Sequence, residues 1–95
     1  MATRHDEKHA LVRVQLLVRY KPEVPDPERF TLLGNLQDFG WTQIIEARRG
    51  KYFDLKFKDS SIREARAAAR AVGKILLANP VTETFEVIKV EVIHP

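Results

Sequence analysis

From Val12 to Tyr20 the chain alternates, with Val12, Val14, Leu16, Val18 and Tyr20 on one parity and Arg13, Gln15 and Arg19 on the other. A period of two predicts a half-buried strand over residues 10–20. Lys21-Pro22-Glu23-Val24-Pro25 follows as a stiff connection, which neither a helix nor a central strand tolerates. Then the period changes. Asp26 is placed to cap free backbone N–H groups, Pro27 suits a first helical position, and Glu28 complements the positive end of the helix dipole. Phe30, Leu33, Leu36 and Phe39, with Leu32 beside them, form an apolar stripe, and Gly40 is set to close the helix.

Residues 44–57 return to a period of two, with Ile45, Ala47, Phe53, Leu55 and Phe57 apolar and Glu46, Arg48, Asp54 and Lys56 between them. A two-residue hairpin turn at Arg49-Gly50 would set Ala47 opposite Tyr52 and split the apolar sets between two faces. One long strand bent at Gly50 keeps them on one face, and a three-residue turn also preserves the phase. The long strand is the reading preferred.

Ser61-Ile62-Arg63-Glu64 reads as a capping box. Ile62, Ala65, Ala69, Val72 and Leu76 recur at helical spacing, which predicts a second helix running to about Ala78. Asn79-Pro80 stops it, because a proline disfavours the α region in the residue before it. Residues 81–93 form a last strand whose apolar phase slips between Val87 and Ile88, by a bulge or by partly covered faces on both sides. The order β-α-β-α-β predicts an α+β, two-layer domain with both helices on one face of a small sheet. Residues 10–95 make the single domain, and the polar residues 1–9 are expected to be a mobile tail.

The composition narrows the function. In 95 residues, 44% are hydrophobic and 31% charged, an ordinary globular balance. No apolar run approaches the ~20 residues of a membrane span. Residues 1–9 lack the apolar stretch of a secretory signal, so the cytoplasm is the expected compartment. With no cysteine there is no disulfide framework or thiol nucleophile. His5, His9 and His94 lie near the termini, and the glycines form no phosphate loop. No pair of carboxylates stands out as an acid/base couple. The expected catalytic, cofactor and metal sites are therefore none.

Two surface features remain. Arg63, Arg66, Arg70 and Lys74 make a basic stripe on the second helix, and a small nucleic-acid-binding α/β domain is the alternative function it supports. A solvated helix face is the simpler reading, because Phe53 and Phe57 read as core residues and not as base-stacking platforms. Nucleic acid is therefore not the expected partner. Trp41, in the loop after Gly40, is expected to be half exposed. On a continuous strand, Arg49 and Lys51 share the side of the apolar residues and need water, a carboxylate or another subunit. Such a strand would span roughly 43 Å, against about 30 Å for a compact chain of this size, so its overhang would pair with a second copy. Arg49, Gly50, Lys51, Asn79 and Pro80 are accordingly the expected interface positions.

Asp26-Pro27, the Gly40 turn, Arg48 with Gly50-Lys51, and Leu76 through Val81 occur in this order over Val12 to Val92. Together they resemble the PurS family, the small subunit of bacterial phosphoribosylformylglycinamidine (FGAM) synthase in purine biosynthesis. The family often has a glycine shortly after the Asp-Pro, where this chain has Arg29. The resemblance implies a non-catalytic subunit joining a glutaminase to a large synthetase, assisting ammonia transfer, and forming a dimer or tetramer with shared strands. It implies no cofactor on this chain; ATP, Mg and glutamine would be used by the partner subunits.

Overall fold

A computed structural model describes residues 11–93 of the chain. Strand β1 (Leu11–Tyr20) is central in a three-stranded antiparallel sheet, with β2 (Lys51–Phe57) on one side and β3 (Glu83–Ile93) on the other. The alternation in β1 has the expected result: Val12, Val14, Leu16 and Val18 are completely buried on one face. Opposite them stand Phe57, Leu55 and Phe53 of β2, and Val92, Val90, Val87 and Phe85 of β3. Val12, Val14 and Leu16 are thus flanked by apolar neighbours on both sides, which is how cross-strand packing stabilises a sheet, while Val18 has Phe85 on one side and Lys51 on the other.

Helix α2 (Ile62–Val72) lies over this face, with Ala65 and Ala69 buried against Val12, Val14 and Leu16. The capping box is complete. The Glu64 N–H donates to Ser61 Oγ at 3.1 Å, and the Ser61 N–H donates to Glu64 Oε1 at 3.0 Å. Ser61→Ala should therefore cost about 0.5–2 kcal/mol, readable as a lowered urea midpoint with unchanged m-value. The phase slip in β3 is a bulge: Gln15 pairs with Lys89 but Leu16 pairs with Val87, so Ile88 has no partner residue on β1.

Four expectations are corrected. First, only one helix covers the sheet. Helix α1 (Pro27–Asp38) forms where expected, with Glu28 N–H donating to Asp26 Oδ1 at 3.1 Å. It ends in a Schellman motif, in which the Gly40 N–H bonds the Gln37 carbonyl, the Trp41 N–H bonds the Leu36 carbonyl, and Gly40 takes a φ of 106°. Yet no residue of α1 is buried. The sheet face is already filled by α2, so α1 stands off and the Cα positions extend over 59 × 29 × 14 Å.

Second, the long strand over residues 44–57 is not formed; the ladder begins at Lys51. Lys51 already pairs with Val18, leaving little of β1 beyond it before Pro22, which has no N–H to donate. Residues 44–50 thus have no partner strand among the described residues, and β2, at seven residues, does not overrun its domain.

Third, the second helix does not continue regularly to Ala78. It widens into a π-helical turn at Gly73–Leu77, with the Ala78 N–H bonded to the Gly73 carbonyl at 3.0 Å. The extra residue moves Leu77 against the core and leaves Leu76, expected to be buried, 77% exposed. Fourth, Gly50 does not bend a continuous strand: it precedes the ladder and packs against β1, as described below. The polar tail at residues 1–9 lies outside the described residues, as do His5, His9 and His94.

Candidate partner interface

The face of the sheet away from α2 mixes Leu11, Leu17, Tyr52 and Ile93 with charged residues held in ion pairs. Arg13 sits between Asp54 of β2 (3.4 Å) and Glu91 of β3 (3.1 Å), and Arg19 reaches Glu86 at 2.8 Å. Such half-exposed pairs contribute little stability individually, but they keep the strands in register.

The expected interface positions gather at one end of this sheet. Arg49 forms an ion pair with Glu28 at the start of α1, and Arg48 Nη2 donates to the Tyr20 carbonyl at 3.1 Å. The loop before β2 is thereby tied to the beginning of α1 and the end of β1. Gly50 sits so close to β1 that a Cβ there would lie 2.5 Å from the Val18 carbonyl oxygen and 2.7 Å from Arg19 Cγ. Only a residue without a side chain fits that approach.

Lys51 and Asn79, far apart in sequence, meet at one residue. Glu83 Oε2 is 3.5 Å from Lys51 Nζ, and Glu83 Oε1 accepts the Asn79 N–H at 2.8 Å. Asn79 in turn closes an Asx turn, its Oδ1 accepting the Val81 N–H at 2.9 Å. Asn79 thus shapes the turn into β3, and Pro80 rides exposed on it. Glu83, with a side chain only 10% exposed, was not among the sequence candidates. Its one signal is its place four residues after the helix-stopping Asn79 and at the first position of β3. Glu83→Ala removes a charge-assisted hydrogen bond and an ion pair together, and should cost about 1.5–3 kcal/mol in thermal unfolding.

Arg49, Gly50 and Lys51, with Val18, Arg19, Tyr20, Asp26 and Glu83, line an open cleft of about 220 Å³. Its charges of both signs are mostly matched within the chain. Beside it α1 and its loop expose a broad apolar surface. Phe30, Phe39, Trp41 and Ile45 are all more than half exposed, and Ile45 reaches 85%. The expectation for Trp41, at 51%, is met. Among the described residues no group of His, Cys, Asp and Glu is arranged to hold a metal ion, and no helix is long and apolar enough to cross a membrane.

The class that this arrangement defines is an α+β domain of three antiparallel strands, with one helix packed on the sheet and a second helix that buries none of its residues. The chain belongs to the PurS family: the family profile, described as phosphoribosylformylglycinamidine (FGAM) synthase, matches residues 13–91. PurS is a subunit of FGAM synthase in purine biosynthesis. Among solved structures the chain is similar to PurS of Thermus thermophilus, with 31% identity, a TM-score of 0.76, and coverage of 85% of this chain and 95% of that one. It is similar to Methanocaldococcus jannaschii PurS, a subunit of formylglycinamide ribonucleotide amidotransferase, at 26% identity and TM-score 0.77, covering 87% and 99%. A chain in PurLQS from Thermotoga maritima matches at 25% identity and TM-score 0.74, covering 87% and 98%. No curated protein sequence matches it.

Proposed function

We propose that the chain is the non-catalytic small subunit of a cytoplasmic FGAM synthase complex. It binds further copies of itself, joins the glutaminase subunit to the large synthetase subunit, and assists the passage of ammonia between them. ATP, magnesium and glutamine are handled by those partners. The observation that carries the reading is the uncovered apolar surface of α1 and the loop after it. A domain of this size gains little by leaving Phe30, Phe39, Trp41 and Ile45 in water. A second copy covers them naturally, since residues 44–50 also have no partner strand among the described residues and offer backbone groups for pairing across the contact. Sharing of strands between subunits is part of this proposal.

The purified chain is expected to sediment as a dimer or tetramer at micromolar concentration, and Ile45→Asp to shift it toward the 11.0 kDa monomer. Mixed with the glutaminase and synthetase subunits of the same organism, it should restore glutamine-dependent FGAM synthesis. Leaving it out should suppress that activity much more than synthesis from free ammonia. Equal loss of both activities would argue against ammonia transfer, and a chain that stays monomeric and stimulates neither would overturn the proposal. The rival, a nucleic-acid binder using Arg63, Arg66, Arg70 and Lys74, requires affinity for duplex or single strands that falls steeply with salt.

A further inference from the structure

The outer face of α2 carries charge that nothing among the described residues answers. Every described arginine outside α2 has a partner: Arg13, Arg19 and Arg49 are ion-paired, Arg48 bonds a carbonyl, and Arg29 lies over the Phe30 ring at 4.9 Å. Arg63, Arg66 and Arg70 are exposed and have no ion pair with a described residue, and neither has Lys74 in the π turn. At about 100° per residue the three arginines fall within about 60° of arc, away from the buried Ala65 and Ala69, and the stripe to Lys74 is about 16 Å long.

The π turn adds apolar surface at the end of this stripe. A regular helix would carry Leu76 onto the face of Ala65, Ala69 and Val72. The inserted residue gives that place to Leu77 and turns Leu76 outward, beside Ile75 at 73% exposure. The next turn adds Val81 at 76%. Single-turn π insertions of this kind are frequent at functional sites, and this one leaves aliphatic side chains in water that ordinary helical geometry would place differently.

We infer that the outer face of α2 and the π turn form a second docking surface, separate from the self-association surface of α1, for a carboxylate-rich protein surface with an apolar recess. The inference rests on the proposed function, and the occupant is then one of the other synthase subunits. A second copy does not fit: a two-fold contact through this face sets Arg63, Arg66, Arg70 and Lys74 against their own equivalents, and the chain carries a net charge of +3. The sheet-face carboxylates Asp54, Glu86 and Glu91 already have arginine partners. Nucleic acid fits the charges but not Ile75, Leu76 and Val81, which are aliphatic and offer no ring for a base to stack on.

The test uses Leu76→Ser and the double variant Arg66→Glu/Arg70→Glu, titrated against the purified synthetase and glutaminase subunits by calorimetry. Near-unchanged melting temperature and self-association are required of both variants. The dissociation constant for one of the two subunits should rise by about 30-fold with Leu76→Ser and by at least about tenfold with the double variant. Wild-type affinity should fall with added salt and that of the charge variant should not. Unchanged affinity in both variants, or loss of self-association in place of partner binding, overturns the second surface while leaving the functional proposal standing. A wild-type chain that binds neither subunit overturns both. Wild-type binding to duplex DNA or to anionic phosphatidylserine vesicles, lost in the same variants while subunit binding persists, would assign the surface to those ligands instead.

Discussion

Leu16→Ala is expected to destabilise the protein by about 2–5 kcal/mol, a large share of the roughly 5–15 kcal/mol typical of a folded domain. Leu16 is completely buried at the middle of the central strand, with Phe53 on one side and Val87 on the other and α2 above. Truncation leaves a cavity that cannot close from the flanks, because both neighbouring residues are fixed by ladder hydrogen bonds. It sits next to the Ile88 bulge, where the pairing is already irregular. Urea unfolding at one fixed protein concentration checks this, since association adds to apparent stability. Leu17→Ala is the control: its side chain faces the half-exposed side of the sheet and should cost under about 1.5 kcal/mol. Similar losses for the two would mean that the buried face does not dominate stability.

Gly50→Ala should be the other large effect, at about 1–3 kcal/mol. The new methyl would meet the Val18 carbonyl at 2.5 Å, and that atom is backbone inside the sheet, so it cannot rotate away. Either β2 shifts outward or the loop before it detaches. Because Arg49 and Arg48 in that loop hold the start of α1 and the end of β1, detachment should also loosen α1 and weaken the proposed self-association. Lys51→Ala next door is expected to cost under about 1 kcal/mol, since its ion pair with Glu83 is half exposed. A melt showing Lys51→Ala as the more damaging change would reverse the roles assigned to these neighbours.

Much of the fold was legible where one chain segment decides its own geometry. The β1 alternation, the Ser61–Glu64 box, the Asp26 cap and the Gly40 stop are all local signals, and each appears in the structure as read; the phase slip after Val87 resolves to the bulge, one of its two readings. The failures have one physical root. An apolar stripe says that a surface wants cover, but not which surface supplies it, and the stripe of α1 does not reveal that α2 already fills the sheet face. The same holds for residues 44–50, where alternation survives without a partner strand to make it a ladder. The π turn was hidden differently: Leu76-Leu77 offers two adjacent leucines for one buried place, and periodicity cannot choose between them. Of the interface candidates, Lys51 and Asn79 meet at Glu83 through a long-range approach that no spacing reveals.

The pairing of β1 with β3 bears on how the chain is made. Leu11 sits opposite Ile93 and Tyr20 opposite Glu83, so the central strand cannot complete its ladder until nearly every described residue has been synthesised. Contacts of such sequence separation slow folding, because loop closure must come before they can reward it. While it waits, β1 has Val12, Val14, Leu16 and Val18 in water, with its β3-facing edge open. The nascent subunit therefore depends on the chain beyond Val87 to shield its most aggregation-prone segment, and shortening β3 by a few residues should send the protein to inclusion bodies before any loss of partner binding could be measured.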